Sequence, residues 1–202
     1  MQDSRDVAYL FLDTNVILHY KAFHSIPWPQ LVGKPVCLVF AIAVIEELDR
    51  KKYEAPQEHL RERARSMLPK IEAAVEGKMD LPKDTQARLH IDAQVDWERY
   101  GLEPKSQDDH FIGQVLRFRD TTGHADVRIV TADTGMRLRV QRVGLQCLHL
   151  GDDYLLPVPD EVQSLKRELA RLKNRMPKLT LGFRSGNKIV PHLRVSMPPC
   201  PP

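Results

Sequence analysis

Val7-Ala8-Tyr9-Leu10-Phe11-Leu12-Asp13-Thr14-Asn15-Val16-Ile17-Leu18 decides how the rest of the chain is read. Residues 8–12 are a short, unbroken apolar run, the pattern of a strand buried on both faces. The run stops at Asp13. After Thr14 and Asn15 the apolar pattern resumes at Val16, Ile17 and Leu18, as the first turn of a helix. A carboxylate therefore stands where a strand ends and a helix begins, the edge at which open α/β sheets bind ligands.

The same passage recurs along the chain. Residues 36–40 are a second apolar run, followed by Ile42, Val44, Ile45 and Leu48 at helical spacing, with Glu46 and Glu47 in the early turns. Residues 57–78 form a long charged helix with Leu60, Ala64, Met67, Leu68, Ile71 and Val75 on one face, and Pro69 calls for a kink or break midway. Arg61, Arg63, Arg65 and Lys70 are placed on or near its outer side. Residues 88–94 alternate enough for a strand. Ser106 starts a helix with Gln107, Asp108 and Asp109 in its first turn and Phe111, Ile112, Val115, Leu116 and Phe118 inside. Residues 127–131 are a further strand leading to Asp133, then a helix over 136–143 closed by Gly144, and a last strand at 145–150. Strand and helix in alternation predict an α/β fold of three layers, a parallel sheet covered by helices on both faces.

A second composition begins near Pro157. An amphipathic helix over about 160–175 precedes two short strands, 179–184 and 188–195, flanking the hairpin turn Ser185-Gly186-Asn187. The expected organisation is a body at 1–156, a basic helix and hairpin appendage at 157–196, and a disordered tail at 197–202. The net charge of +3 conceals an asymmetry: residues 161–202 carry +7 and residues 1–160 carry −4. A basic appendage suits a phosphate-rich partner, and equally a solubilising surface. No apolar run approaches the ~20 residues of a membrane helix. The acidic start, with Asp3 and Asp6, is unlike an export signal, so a cytoplasmic location and no membrane partner are expected. Cys37, Cys147 and Cys200 lie far apart with no CxxC pair, which points away from a zinc site or a disulfide framework.

Four acids stand out: Asp13, Glu47, Asp108 with Asp109 beside it, and Asp133. In a parallel sheet with right-handed crossovers all strand C-termini share one edge, so these positions gather there. Singly, each has an ordinary use. An Asp between strand and helix is often only an N-cap, and acids in a first turn complement the helix dipole. Together they form a cluster of mutually repelling carboxylates, which a divalent cation relieves. Hard oxygen donors suit Mg²⁺ or Mn²⁺, and such an ion supports phosphodiester hydrolysis by direct water attack.

Phe11-Leu-Asp-Thr-Asn-Val-Ile-Leu18, Val44-Ile-Glu-Glu-Leu-Asp49, Asp108-Asp-His-Phe-Ile112 and Ile129-Val-Thr-Ala-Asp133 resemble the four motifs of the PIN domain. They are most similar to the variety found in PhoH-like proteins and RNA-decay endonucleases. The resemblance covers about residues 7–150. It implies a central parallel sheet of about five strands and a Mg²⁺- or Mn²⁺-dependent ribonuclease whose catalytic acids fall on Asp13, Glu47 (with Glu46 as the neighbouring candidate), Asp108 and Asp133. Asp13, Asp108 and Asp133 hold the metal, Glu47 is a further ligand or a water-orienting base, and Asp109 is a helper. Asn15 and Thr131 match polar positions that hydrogen-bond to such acids. Arg167, Arg171, Lys173, Arg175 and Arg184 are the candidate contacts to RNA, expected to be single-stranded. A homodimer and a protein inhibitor are the other expected partners. Two rival readings stand beside the endoribonuclease: the toxin of a toxin–antitoxin pair, and a non-catalytic RNA-binding protein with the same fold. Trp28 and Trp97 are candidates for base stacking, and His110 for a phosphate contact, with packing the commoner employment of all three.

Overall fold

The computed structural model describes residues 7–92, 94–157, 165, 168–173, 178–183 and 191–196. The chain divides into two compact units, Met1–Pro157 and Val158–Pro202.

The first unit is built on a five-stranded sheet in the order β3-β2-β1-β4-β5, parallel throughout. β1 (Ala8–Leu12) and β2 (Val36–Ala41) are buried at every position. Neither face of these strands meets water, so helices must cover both, as in a doubly wound α/β sheet. On one face Tyr9 and Phe11 pack their rings against Phe118 of α6 (Gln107–Thr122). The other helices are α1 (Thr14–His19), α2 (Trp28–Val32), α3 (Ile42–Glu54), α4 (Glu58–Val75), α5 (Trp97–Tyr100) and α7 (Thr134–Arg142). β4 (Val127–Val130) and β5 (Gln146–Leu148) complete the sheet. Strand order reverses between β1 and β4: the chain leaves β1 toward β2 and β3, then returns to the other side of β1. That reversal opens a crevice at the C-terminal ends of β1 and β4, the usual ligand position of such sheets.

Three local differences from the sequence reading have physical causes. β3 runs Thr85–His90, three residues earlier than expected, in register with β2 from Val36↔Thr85 to Ala41↔His90. A turn at Asp84, with φ of +58°, launches it, and the Asp92 side chain accepts the Gln94 N–H just beyond its end. The alternation around Leu89 and Ile91 that suggested a later strand is exposed, Ile91 at 71%. Secondly, α4 passes through Pro69 unbroken. Pro69 and Arg65 are both exposed, so the carbonyl deprived of its donor can bind water. Thirdly, Arg63 is not an outer residue. It is half-buried and donates to the carbonyls of Ile17, at 3.2 Å, and Tyr20, at 2.8 Å. It satisfies the C-terminus of α1, a helix too short to be stable alone.

Packing accounts for the aromatic and thiol candidates. Trp28 is fully buried and its indole donates to the Phe23 carbonyl at 2.7 Å. Trp97 meets the half-buried His110 edge to face, and that imidazole lies 2.7 Å from the Pro104 carbonyl. Burial pushes the Cys37 thiol up to about 11, so it is a core group. A Cβ on Gly113, mid-way along α6, would lie 2.4 Å from Val95, and only glycine lets that loop cross the helix so closely.

In the second unit, residues 165 and 168–173 are helical, with Leu165, Leu169 and Leu172 exposed. β6 (Lys178–Phe183) and β7 (Pro191–Ser196) pair antiparallel from Lys178↔Ser196 to Phe183↔Pro191. The expected second strand thus begins three residues later. The expected turn at 185–187 and tail at 197–202 lie outside the described residues.

Candidate acidic site

Asp13, Glu47 and Asp133 are delivered by three different strand-to-helix passages, and Asp108 by the start of α6, which follows α5 and a loop. Asp13 follows β1 directly and is 6% exposed. Although it occupies the N-cap position of α1, it does not cap that helix. Its Oδ2 instead accepts the Thr131 hydroxyl at 2.7 Å. Thr131, fully buried just beyond β4, in turn accepts the backbone N–H of Asp133 at 3.1 Å. One hydroxyl thus links the acid after β1 to the segment after β4, across the crevice where the strand order reverses.

Glu47 projects from the second turn of α3. Its Oε2 accepts the Thr14 hydroxyl at 2.5 Å, and its Oε1 lies 3.2 Å from Lys51. Glu46 beside it is exposed. The first turn of α3 is itself tethered: the Ala43 N–H donates to the buried Gln114 side chain of α6 at 3.2 Å. Asp133 caps α7, accepting the Met136 N–H at 3.0 Å. Its ordinary use as a cap is therefore real and coexists with its place beside the crevice. Asn15 is half-buried in the first turn of α1.

Asp108 and Asp109 open α6, behind the N-cap Ser106, whose hydroxyl accepts the Asp109 N–H. Asp109 is buried. One of its oxygens accepts the Glu103 N–H at 2.9 Å and the other faces Arg139 of α7 at 3.3 Å. Asp108 is half exposed, with Arg139 at 3.6 Å.

Burial and neighbouring charge act together on Asp13 and Asp108. Burial pushes the Asp13 carboxyl up to about 6; the Thr131 hydroxyl pulls against this, and the charges of Glu47 and Asp108 add to it. Burial likewise raises Asp108; Arg139 opposes the rise, and Asp133, Asp109 and Glu47 reinforce it. Asp13 and Asp108, 95 residues apart in sequence, thus feel each other's charge. The donor set is hard oxygen, which fits Mg²⁺ or Mn²⁺. The side chains are not closed round a common point, however. Among the described residues no group of three or more Asp, Glu, His or Cys is arranged to hold a metal ion. Each acid instead holds a protein donor or cation: Thr131, Thr14 with Lys51, Met136 N–H, and Arg139.

Among the RNA candidates, Arg171 and Lys173 are exposed on the helical segment of the second unit. Arg167, Arg175 and Arg184 lie outside the described residues. Sequence reasoning missed Thr14, Gln114 and Arg139. Thr14 stood inside the quoted motif, and its adjacency to Asp13 was the available signal. Nothing in the sequence couples Arg139 to the first turn of α6, thirty residues earlier.

The family model of the PIN domain matches residues 10–150. Among solved structures, the PIN domain endonuclease Utp24 is 14% identical, with 73% of this chain and 88% of that chain covered and a TM-score of 0.42. A domain of a functionally unknown protein from Methanocaldococcus jannaschii DSM 2661 is 16% identical, with 76% and 99% covered and a TM-score of 0.46. At these values the likeness is one of outline. No protein of curated function matches the chain. The family match spans all four acid-bearing passages, and the chain belongs to the PIN domain family, a family of nucleases.

Proposed function

We propose that this chain is a divalent-metal-dependent endoribonuclease of the PhoH-like PIN variety, hydrolysing single-stranded RNA by attack of water. The observation that carries this reading is the buried Asp13 at the strand reversal, joined through Thr131 to the segment that carries Asp133 and lifted by burial first, then by the charges of Glu47 and Asp108, to about 6. A buried carboxylate with like charges beside it weakens the fold, and a cation bound there would relieve it. Asp13, Asp108 and Asp133 hold Mg²⁺ or Mn²⁺, with Glu47 as a further ligand or as the base that orients water. The ion supplies polarisation of a phosphoryl oxygen and a more acidic water.

The chain's own groups do the positioning. Thr131 fixes the Asp13 carboxylate and the Asp133 backbone together, and Thr14 fixes Glu47. Lys51 stands beside Glu47 and can meet a phosphate oxygen at the rim. Arg171 and Lys173 of the second unit, with Arg167, Arg175 and Arg184, are the proposed contacts to the RNA backbone.

The test is cleavage of a labelled single-stranded RNA by the full chain with Mg²⁺, with Mn²⁺ and with chelator. Cleavage that needs the metal and is lost in Asp13→Asn, with the circular dichroism spectrum unchanged, is the expected result. Metal-stimulated cleavage retained in full by Asp13→Asn overturns the assignment. RNA binding that weakens with salt, without cleavage in either metal, supports the non-catalytic rival instead.

A further inference from the structure

Asp108 and Asp109 are sequence neighbours in one helical turn, and successive helix residues point about 100° apart. They cannot serve one point equally. Asp109 turns inward, its side chain only 6% exposed, and spends its oxygens on the Glu103 N–H and Arg139. Asp108 instead stays half exposed, its side chain 49% accessible. Arg139 makes the division possible. A single nitrogen, Nη1, donates to the Ser106 hydroxyl at 3.0 Å and to Asp109 at 3.3 Å, and stands 3.6 Å from Asp108. That nitrogen has two protons. Ser106 and Asp109 take both, so Asp108 keeps a charge contact but no hydrogen bond and remains able to turn to another cation.

Arg139 rises from α7, less than two turns beyond Asp133, which caps the same helix. One side chain therefore ties the helix capped by Asp133 to the first turn of the helix that carries Asp108. We propose that Arg139 is a positioning residue of the acidic site: through Ser106 and Asp109 it locks α6 to α7, so that Asp108 and Asp133 face the same cation. The proposal rests on the metal-dependent nuclease reading and deepens it, assigning Asp109 to the scaffold and Asp108 to the ion.

Two effects of Arg139 on a divalent cation have opposite sign. As a nearby positive charge it repels the ion, so its removal would tighten binding. As the lock between helices it supports the site, so its removal weakens binding. Calorimetric titration of the full chain with Mn²⁺ separates them. Arg139→Met is expected to weaken Mn²⁺ binding by about 10- to 100-fold, the usual cost of losing a group that orients a ligand. It is also expected to lower kcat for RNA cleavage more than it raises KM. Arg139→Lys keeps the charge without the planar fork and recovers only part of the loss. Unchanged or tighter Mn²⁺ binding by Arg139→Met overturns the proposal, as does full recovery by Arg139→Lys. Should Arg139→Met fail to fold, Arg139→Lys decides alone: weakened binding supports the lock and unaltered affinity overturns it. A parent chain that neither binds Mn²⁺ nor cleaves RNA overturns the nuclease reading itself, and the positioning role falls with it.

Discussion

The two ends of the central sheet treat aspartate in opposite ways. At the N-terminal edge, Asp126 precedes β4, and Arg128 grips both of its oxygens, at 2.6 and 2.9 Å, while Lys34 stands at 2.8 Å. The Arg128 hydrogen bonds, with help from Lys34, hold its carboxyl below the usual carboxylate range. At the C-terminal edge, Asp13 follows β1. It is buried, with the Thr131 hydroxyl on its side chain and Glu47 and Asp108 as charged neighbours, and its carboxyl rises, through burial first, to about 6. The residue type is the same and the strands are adjacent. An acid answered by cations contributes to the fold; a buried acid without one costs the fold.

The largest effect expected from this contrast is on chemistry. On the proposed function, Asp13→Asn removes a ligand of the metal ion. Several kcal/mol of transition-state stabilisation depend on such an ion, so cleavage should fall on the order of 10³-fold. Asp126→Asn at the other edge should leave cleavage rates with saturating metal unchanged. Equal losses in the two variants would erase the distinction between the edges.

The second effect is on stability without metal. The folded Asp13 carboxyl lies above its unfolded value of 3.8, at about 6. The folded chain therefore holds the proton more tightly. This stabilises the fold fully below the unfolded value and is lost as pH rises through about 6. Asp13→Asn removes that dependence, and in chelator near pH 7 it should raise stability by up to about 3 kcal/mol, from two units at ~1.4 kcal/mol each. Denaturant unfolding at pH 4 and pH 7 reads this directly: the gain should appear at pH 7 and vanish at pH 4. A loss of stability at pH 7 would mean that the carboxylate is well solvated.

A smaller effect sharpens the contrast at Thr131. Thr131→Val keeps the shape and deletes the hydroxyl shared by Asp13 and Asp133. Mn²⁺ affinity should fall about tenfold, measured by titration calorimetry. The smallest effect is at the opposite edge, where Asp126→Asn should cost about 1–2 kcal/mol in unfolding free energy at pH 7. Its sign with pH is the reverse of Asp13: the contribution of Asp126 is present above the unfolded carboxylate value and fades as pH falls below it.

Much of this architecture is written in unbroken apolar runs. The strand at residues 8–12 could be bounded from sequence because its neighbours on both faces are helices, which removes every polar residue from it. β3 could not, because it lies at the sheet edge, where Gln86, Arg88 and Leu89 face solvent and the alternation carries no burial signal. Three of the acids were legible for a topological reason: Asp13, Glu47 and Asp133 fall where an apolar run gives way to a helix, whereas Asp108 opens a helix that follows a polar loop. Their partners were not. That Thr131 bridges two acids depends on β1 and β4 being neighbours, and that Arg63 completes α1 depends on α4 lying across it. The pairing of Arg139 with Asp109 needs the packing of two helices that share no sequence pattern. Among the described residues no three acids are arranged round a point fit for an ion, and each candidate side chain has a donor or cation from the protein itself.

The most direct measurement is anomalous diffraction from crystals of the full chain soaked in Mn²⁺. The account predicts one peak at the C-terminal ends of β1 and β4, about 2.1 Å from oxygens of Asp13, Asp108 and Asp133, with the Thr131 hydroxyl still on Asp13. A map with no peak there at saturating Mn²⁺, and with Arg139, Thr14 and Thr131 still holding the carboxylates apart, would contradict it.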